Sequence, residues 1–326
     1  MNTVVIIGEP VLHECFGVNP VIENQYEMFE RIRQEFNSAE LLVRTIREEQ
    51  VAIATALKDM GYSLYMVHSH PDLVDEVTFE QINTITEGRS FSIPEICSPI
   101  YSAFPRDLWG YIGDTPLHNS KVINRRKKGN YGSVLGEGGK VISTGNKMLA
   151  CLYNRENSTE GAMLRKLRGK GYIIVRIFPL ATRRNDQSVP DEEIEMIDHI
   201  DLSACIVRAA DGSDHLIIDE KSPFVCQGRK GSGKLNEEQQ QRTFSAIGAK
   251  LEVTVHQVNP IMPYGLNIPQ FFDGKVLMTQ GEPEVESLLK ELMGDENVRT
   301  TSVPIRAIPV FRNAGIRCLT NEYRVY

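Results

Sequence analysis

The chain has 326 residues, 41% of them hydrophobic, and a formal charge of −7 at pH 7. That length and apolar content suffice for a large core in about one to three domains, while the acidic balance disfavours a general nucleic-acid binder, which needs clustered Lys and Arg, and would attract a cationic small molecule. Six cysteines at 15, 97, 151, 205, 226 and 318 form no Cys-x-x-Cys pair, which excludes a zinc ribbon or dense disulfide framework and leaves most of them as buried free thiols.

The first residues, Met1 to Gly8, lack the basic start and apolar length of a signal peptide, and no apolar run approaches the length of a membrane span. A soluble, cytoplasmic protein without a membrane partner is expected. Further on, Leu42, Ile46, Ile53 and Leu57 repeat on one helical face, Gly61 stops that helix, and Ser63 to Val67 reads as a strand. The same order of helix, glycine and strand recurs. Ser158 can cap a helix running through Leu167, Gly169 and Gly171 punctuate it, and Tyr172 to Phe178 is strongly β-prone. Glu237 to Ile247 is read as a helix closed by Gly248 before the strand Leu251 to His256. Glu284 to Met293, closed by Gly294, leads towards Val303.

Two strand-like segments resemble one another, Gly139-Lys-Val-Ile-Ser-Thr144 and Gly274-Lys-Val-Leu-Met-Thr279, which points to a duplicated supersecondary unit. No long Pro/Ser/Gly linker divides the chain, so a single domain over 1–326, built of repeated strand and helix modules, is expected. Arg125 to Gly132, with four consecutive basic residues, and Gly228 to Lys234 read as solvated loops. The second approximates a phosphate-binding loop, but Leu235 stands where such a loop needs Ser or Thr for magnesium. His68 and His70, with Asp72 and Asp75 nearby, form at most a sparse metal-ligand set, and His13, His118, His215 and His256 have less to recommend them.

Cys318 stands out among the thiols because it follows Gly315, a residue able to adopt backbone angles that others avoid, in a turn that could present the sulfur. Earlier in the chain come Phe104-Pro105-Arg106-Asp107, Glu137-Gly138-Gly139 and His199-Ile200-Asp201. Together they make a Cys/His/carboxylate set suited to one kind of chemistry. A guanidinium carbon is a poor electrophile, resonance-stabilised and flanked by nitrogens that leave badly unless protonated. A thiolate supplies the attack, an imidazole moves protons to the departing nitrogen and from water, and carboxylates grip the planar fork of N–H donors and hold its charge. Asp107, Glu137 and Asp201 are candidates for that grip.

In that chain order the motifs resemble those of the guanidino-group-modifying superfamily, the penteins, which includes arginine deiminase, dimethylarginine dimethylaminohydrolase, agmatine deiminase and the amidinotransferases. The resemblance runs from about Ala103 to the end and is most specific at His199-Ile-Asp201 and at Gly315-Ile-Arg-Cys318-Leu-Thr320. It implies a five-module α/β propeller, Cys318 as nucleophile, His199 as general acid and base, and Glu137 as a catalytic carboxylate that binds the guanidinium and supports proton transfer. It also implies Asp107 and Asp201 as guanidinium clamps and Arg155 as a partner for a substrate carboxylate, which favours an α-amino acid over agmatine. No cofactor or metal is implied, and a homodimer is. Two positions depart from the pattern: Lys140 follows Glu-Gly-Gly where the family often has Asp, and Ala314 replaces the usual second glycine before the cysteine.

The function expected on these grounds is hydrolysis of arginine or a related free guanidino compound through a covalent thiouronium on Cys318. An amidinotransferase would share the first half-reaction and pass the amidino group to an amine. A silent propeller that only binds a macromolecule is disfavoured, because it has no reason to keep the whole set.

Overall fold

The computed structural model describes residues 2–8, 10, 21–22, 26–68, 74–92, 109–112, 115–118, 138–151, 159–182, 194–196, 199–222, 224–226, 236–312 and 314–325. The backbone divides into two compact units. One comprises Met1–Gly17, Met28–Leu108 and Pro260–Tyr326, and the other Val18–Glu27 and Trp109–Asn259.

In the first unit the two ends of the chain share a sheet. Asn2–Ile7 pairs antiparallel with Thr320–Val325 and parallel with Ser63–His68, which in turn pairs parallel with Ser90–Ser92. A parallel pair needs a crossover, and the helix Ala39–Asp59 supplies it. Ser38 caps that helix by accepting the Leu41 N–H, and Gly61 turns the chain at φ +87°, a left-handed angle that penalises any side chain. The apolar stripe expected from the sequence is the buried one: Ile46, Ile53 and Leu57 pack with Val5, Leu64, Met66 and Ile308. Each such side chain contributes about 1.5–3 kcal/mol on burial.

The same arrangement recurs with other strands. Gln270 makes an antiparallel bridge to Val276, and Val276–Met278 then runs through the helix Pro283–Met293 to its parallel partner Val298–Thr300. In the second unit the hairpin Val141–Thr144 and Lys147–Ala150 leads through the helix Thr159–Gly169 to Ile173–Thr182, parallel to the hairpin's second strand. The hairpin Ala204–Arg208 and Asp214–Asp219 leads likewise through Glu237–Leu251 to Thr254–Val258. The fold is therefore α/β, with small mixed sheets in repeat-like units: an antiparallel strand, a middle strand, a helix, and a strand parallel to the middle one. Among the described residues no helix is long and apolar enough to cross a membrane.

Two sequence expectations need correction. Gly248 does not end its helix, which continues to Leu251 and closes on Glu252 in the left-handed region at φ +57°. The glycine is there for close approach, since a Cβ at 248 would lie 2.6 Å from Val255 Cγ2 and 3.2 Å from the Val253 carbonyl. The look-alike segments at 139–144 and 274–279 are also not equivalent: Val141–Thr144 is the outer strand of its hairpin, whereas Val276–Met278 is a middle strand that enters a helix. The duplication is present, but that pair of segments does not align it. The loops at Arg125 to Gly132 and Gly228 to Lys234, and the cap at Ser158, lie outside the described residues.

Candidate active site

Cys318 lies in the first unit, in the single helical turn Ile316–Leu319 that opens the strand Thr320–Val325. It is half-buried and in no disulfide, whereas Cys151 and Cys205 are buried. The turn is secured at both ends, by the Leu319 N–H donating to the Gly315 carbonyl at 3.2 Å and the Thr320 hydroxyl donating to the Ile316 carbonyl at 2.9 Å. Gly315 has φ −128° and ψ −170°, extended backbone that any residue adopts. Its glycine is required for a different reason from the one expected: a Cβ there would sit 2.5 Å from the Asn267 side chain. Ala314 is fully buried in the core with Ile308 and Ile316, so its methyl group is accommodated by packing.

Asn267 is the partner that the motif did not announce. Its Oδ1 accepts the Cys318 N–H at 3.2 Å, and its Nδ2 donates to Cys318 Sγ at 3.3 Å. The loop bearing it is held by Glu282, a buried carboxylate that accepts the N–H groups of Ile261 and Met262. A second buried carboxylate, Glu49, accepts the N–H groups of Arg306, Ala307 and Ile308 at 2.8–2.9 Å, pinning the start of the helix Ala307–Arg312 just ahead of the cysteine turn. Burial pushes the Glu49 carboxyl up to about 7, even though the three N–H donors and the nearby Arg306 pull the other way. Nothing in local sequence marks Asn267. Glu49 could have been found, because it falls between Ile46 and Ile53 on the apolar stripe of its helix.

His199 and Asp201 lie in the second unit. His199 precedes the single turn Ile200–Leu202, which feeds the buried strand Ala204–Arg208. Ile200 and Leu202 anchor the turn in the core, Asp201 is fully buried, and His199 is half-buried. The turn Gly138–Lys140 presses on both polar side chains: a Cβ at Gly139 would lie 2.4 Å from His199 Nδ1 and 2.7 Å from Asp201 Oδ1. Only a glycine lets the backbone come that close. The imidazole and the carboxylate are thus brought together over one α-carbon, that of the last glycine in Glu137-Gly138-Gly139. Lys140 closes this turn, and its carbonyl accepts the Cys151 N–H at 2.8 Å.

Asp107, Glu137 and Arg155 lie outside the described residues, as do His13, His70 and Asp72 and the side chains of His68 and His118. Asp75 is occupied structurally, capping the helix Glu76–Ile85 through the Thr78 N–H and holding Arg47 through two bonds of 2.6 and 2.8 Å. His215 and His256 pair with each other, Nδ1 to Nε2 at 2.8 Å. Among the described residues no group of three or more His, Cys, Asp or Glu could hold a metal ion.

No family model matches the chain, and no curated protein sequence matches it. Solved structures do. A dimethylarginine dimethylaminohydrolase, in an adduct with 4-chloro-2-hydroxymethylpyridine, is similar over 99% of this chain and 100% of its own, with a TM-score of 0.50 at 11% identity. An agmatine deiminase from C. jejuni is similar over 98% of this chain and 92% of its own, with a TM-score of 0.51 at 12% identity. The chain shares their fold.

Proposed function

We propose that the chain is a cysteine-dependent hydrolase of C–N bonds in arginine or a related free guanidino compound. The observation that carries this reading is Cys318, the one residue among Cys151, Cys205 and Cys318 that is not buried, held on an ordered turn beside a polar donor. Two supports stand beside it: His199 and Asp201 side by side over Gly139, and a fold shared with enzymes whose names specify dimethylarginine and agmatine. The same reading takes the repeated units as modules of a five-module α/β propeller within one domain, 1–326, and the protein as a homodimer.

In this reaction the Cys318 thiolate adds to the guanidinium carbon, His199 protonates the departing nitrogen, and ammonia or an amine leaves behind a thiouronium on sulfur. Water then adds with its proton passing to His199, and the C–S bond breaks to release the ureido product and the thiolate. Asp201, with Asp107 and Glu137, holds the guanidinium by paired N–H to carboxylate bonds, which fix the carbon against the sulfur. Arg155 receives the substrate carboxylate.

The test is incubation of the purified chain with arginine, agmatine, methylated arginines and guanidinoacetate, assaying ureido product and ammonia or amine. At least one substrate is turned over without an added acceptor, and Cys318→Ser lowers that turnover by about 10⁴-fold or more while circular dichroism stays that of the folded protein. Turnover that depends on an acceptor amine would make the protein an amidinotransferase, and normal activity in Cys318→Ser would remove the nucleophile.

A further inference from the structure

Every polar group of Asn267 is hydrogen-bonded, three of the four to the cysteine turn. Its N–H donates to the Tyr264 carbonyl at 2.8 Å, and its carbonyl accepts the Arg317 N–H at 3.2 Å. Its Oδ1 accepts the Cys318 N–H at 3.2 Å and its Nδ2 lies 3.3 Å from Cys318 Sγ. The residue is 2% exposed, and a cavity of about 10 Å³ bounded in part by Tyr264, Asn267, Gly315 and Ile316 leaves room for one water at most behind it. Gly315, with no space for a Cβ against the Asn267 side chain, keeps the amide in place from the other side.

The direction of the amide follows from chemistry. A backbone N–H can only donate, so the amide end facing the Cys318 N–H is the oxygen. The NH₂ end therefore faces the sulfur and donates to it. A neutral thiol is a weak acceptor, whereas a thiolate is a charged one, and a hydrogen bond to the charged form favours that form. Because the amide is already buried, bonded and oriented before any substrate arrives, little reorganisation is needed when the charge appears.

We propose that Asn267 is a catalytic residue, the donor that holds the Cys318 sulfur as an anion and aims it. This rests on Cys318 being the nucleophile, but it makes a claim about the thiol that can be measured without any substrate. The lone pairs of the thiolate are shared with Nδ2–H in the resting protein. On attack one pair forms the C–S bond, the sulfur loses its negative charge, and the bond to Asn267 weakens. It strengthens again as the thiolate departs in the second half-reaction.

The experiment is the pH dependence of Cys318 alkylation by iodoacetamide, followed by mass spectrometry on the peptide that carries it, in the full chain and in Asn267→Asp and Asn267→Ala. Asn267→Asp keeps the shape and the acceptor for the Cys318 N–H while replacing the donor with an oxygen. In the unsubstituted protein the midpoint falls below the ~8.5 of a free thiol. It rises by about one pH unit in Asn267→Ala and by more in Asn267→Asp, with kcat falling about 10²-fold and KM nearly unchanged. A midpoint at or above ~8.5 in the unsubstituted protein, which needs no variant to fold, would overturn the proposal. So would an unshifted midpoint in a folded Asn267→Asp. A midpoint that moves as expected in a protein that turns over no guanidino compound would keep the role of Asn267 and remove the proposed hydrolase.

Discussion

The turn carrying Cys318 and the turn carrying His199 and Asp201 are built alike: each is a single helical turn that opens a strand. Each also has a glycine whose missing side chain makes room for another residue's polar group. The means of support differ. At Cys318 the glycine is on the turn itself, and the polar partner, Asn267, comes from 51 residues away on a loop fixed by buried Glu282. At His199 the glycine comes from the earlier Gly138–Lys140 turn and lies directly on the His199 and Asp201 side chains. Asn267 thus hydrogen-bonds the sulfur, and the Gly139 backbone packs directly against the imidazole. The two should respond to different substitutions.

Gly139→Ala is the sharper way to break the steric arrangement. The added methyl would stand 2.4 Å from His199 Nδ1 and 2.8 Å from its Cγ, so the ring rather than a flexible chain end must move. Displacing a proton-transfer group by about 1 Å costs roughly 10²-fold in rate. Steady-state kinetics should show that loss mainly in kcat, while the alkylation midpoint of Cys318 moves less than in Asn267→Asp. Unchanged kcat in a folded Gly139→Ala would mean that close packing over the imidazole has no part in turnover.

Glu49 tests the polar support of the other turn. Its carboxyl keeps its proton up to about pH 7 in the folded chain, against 4.5 for the unperturbed group, because burial outweighs the three N–H bonds from Arg306, Ala307 and Ile308. Between those values the folded state binds more protons than the unfolded one. Stability from this group is therefore full below about 4.5 and is lost as pH rises through about 7, by on the order of 3 kcal/mol. Glu49→Gln removes that slope, so its stability relative to the unsubstituted chain should rise with pH over this window in urea titrations. Superimposed on this is a pH-independent loss of about 1–3 kcal/mol, because the new NH₂ faces a backbone N–H. A difference between the two proteins that stays constant with pH would show that Glu49 does not titrate in that range.

The sequence disclosed the parts whose cause is local. The stripe through Ile46, Ile53 and Leu57 and the left-handed stops at Gly61 and Gly294 depend on neighbours within a few residues. His199 and Asp201 were visible as a spaced pair, and Cys318 as a thiol after a glycine. What stayed hidden acts at a distance. Gly248 reads as a helix stop but serves contact with Val255, and Gly315 reads as a source of unusual angles but serves contact with Asn267. Glu49 is legible as buried from its place between Ile46 and Ile53, but its partners, the N–H groups of Arg306, Ala307 and Ile308, are 257–259 residues away. Its position on the buried stripe outweighs its charge, and long-range N–H donors make that possible.

The smallest expected effect separates substrate choice from the chemistry of both turns. The proposed reading gives Arg155 the substrate carboxylate by motif alone and no step of the chemistry at Cys318 or His199. A charge-assisted bond to a carboxylate contributes about 1.5–3 kcal/mol, so Arg155→Ala should raise KM for arginine by about tenfold or more. Agmatine has no carboxylate to lose, and its KM should be nearly unchanged, as should kcat for both compounds. If arginine and agmatine suffer equally, the guanidinium end rather than the carboxylate end is what Arg155 governs. The division between the groups that select the substrate and the two turns that react with it would then have to be redrawn.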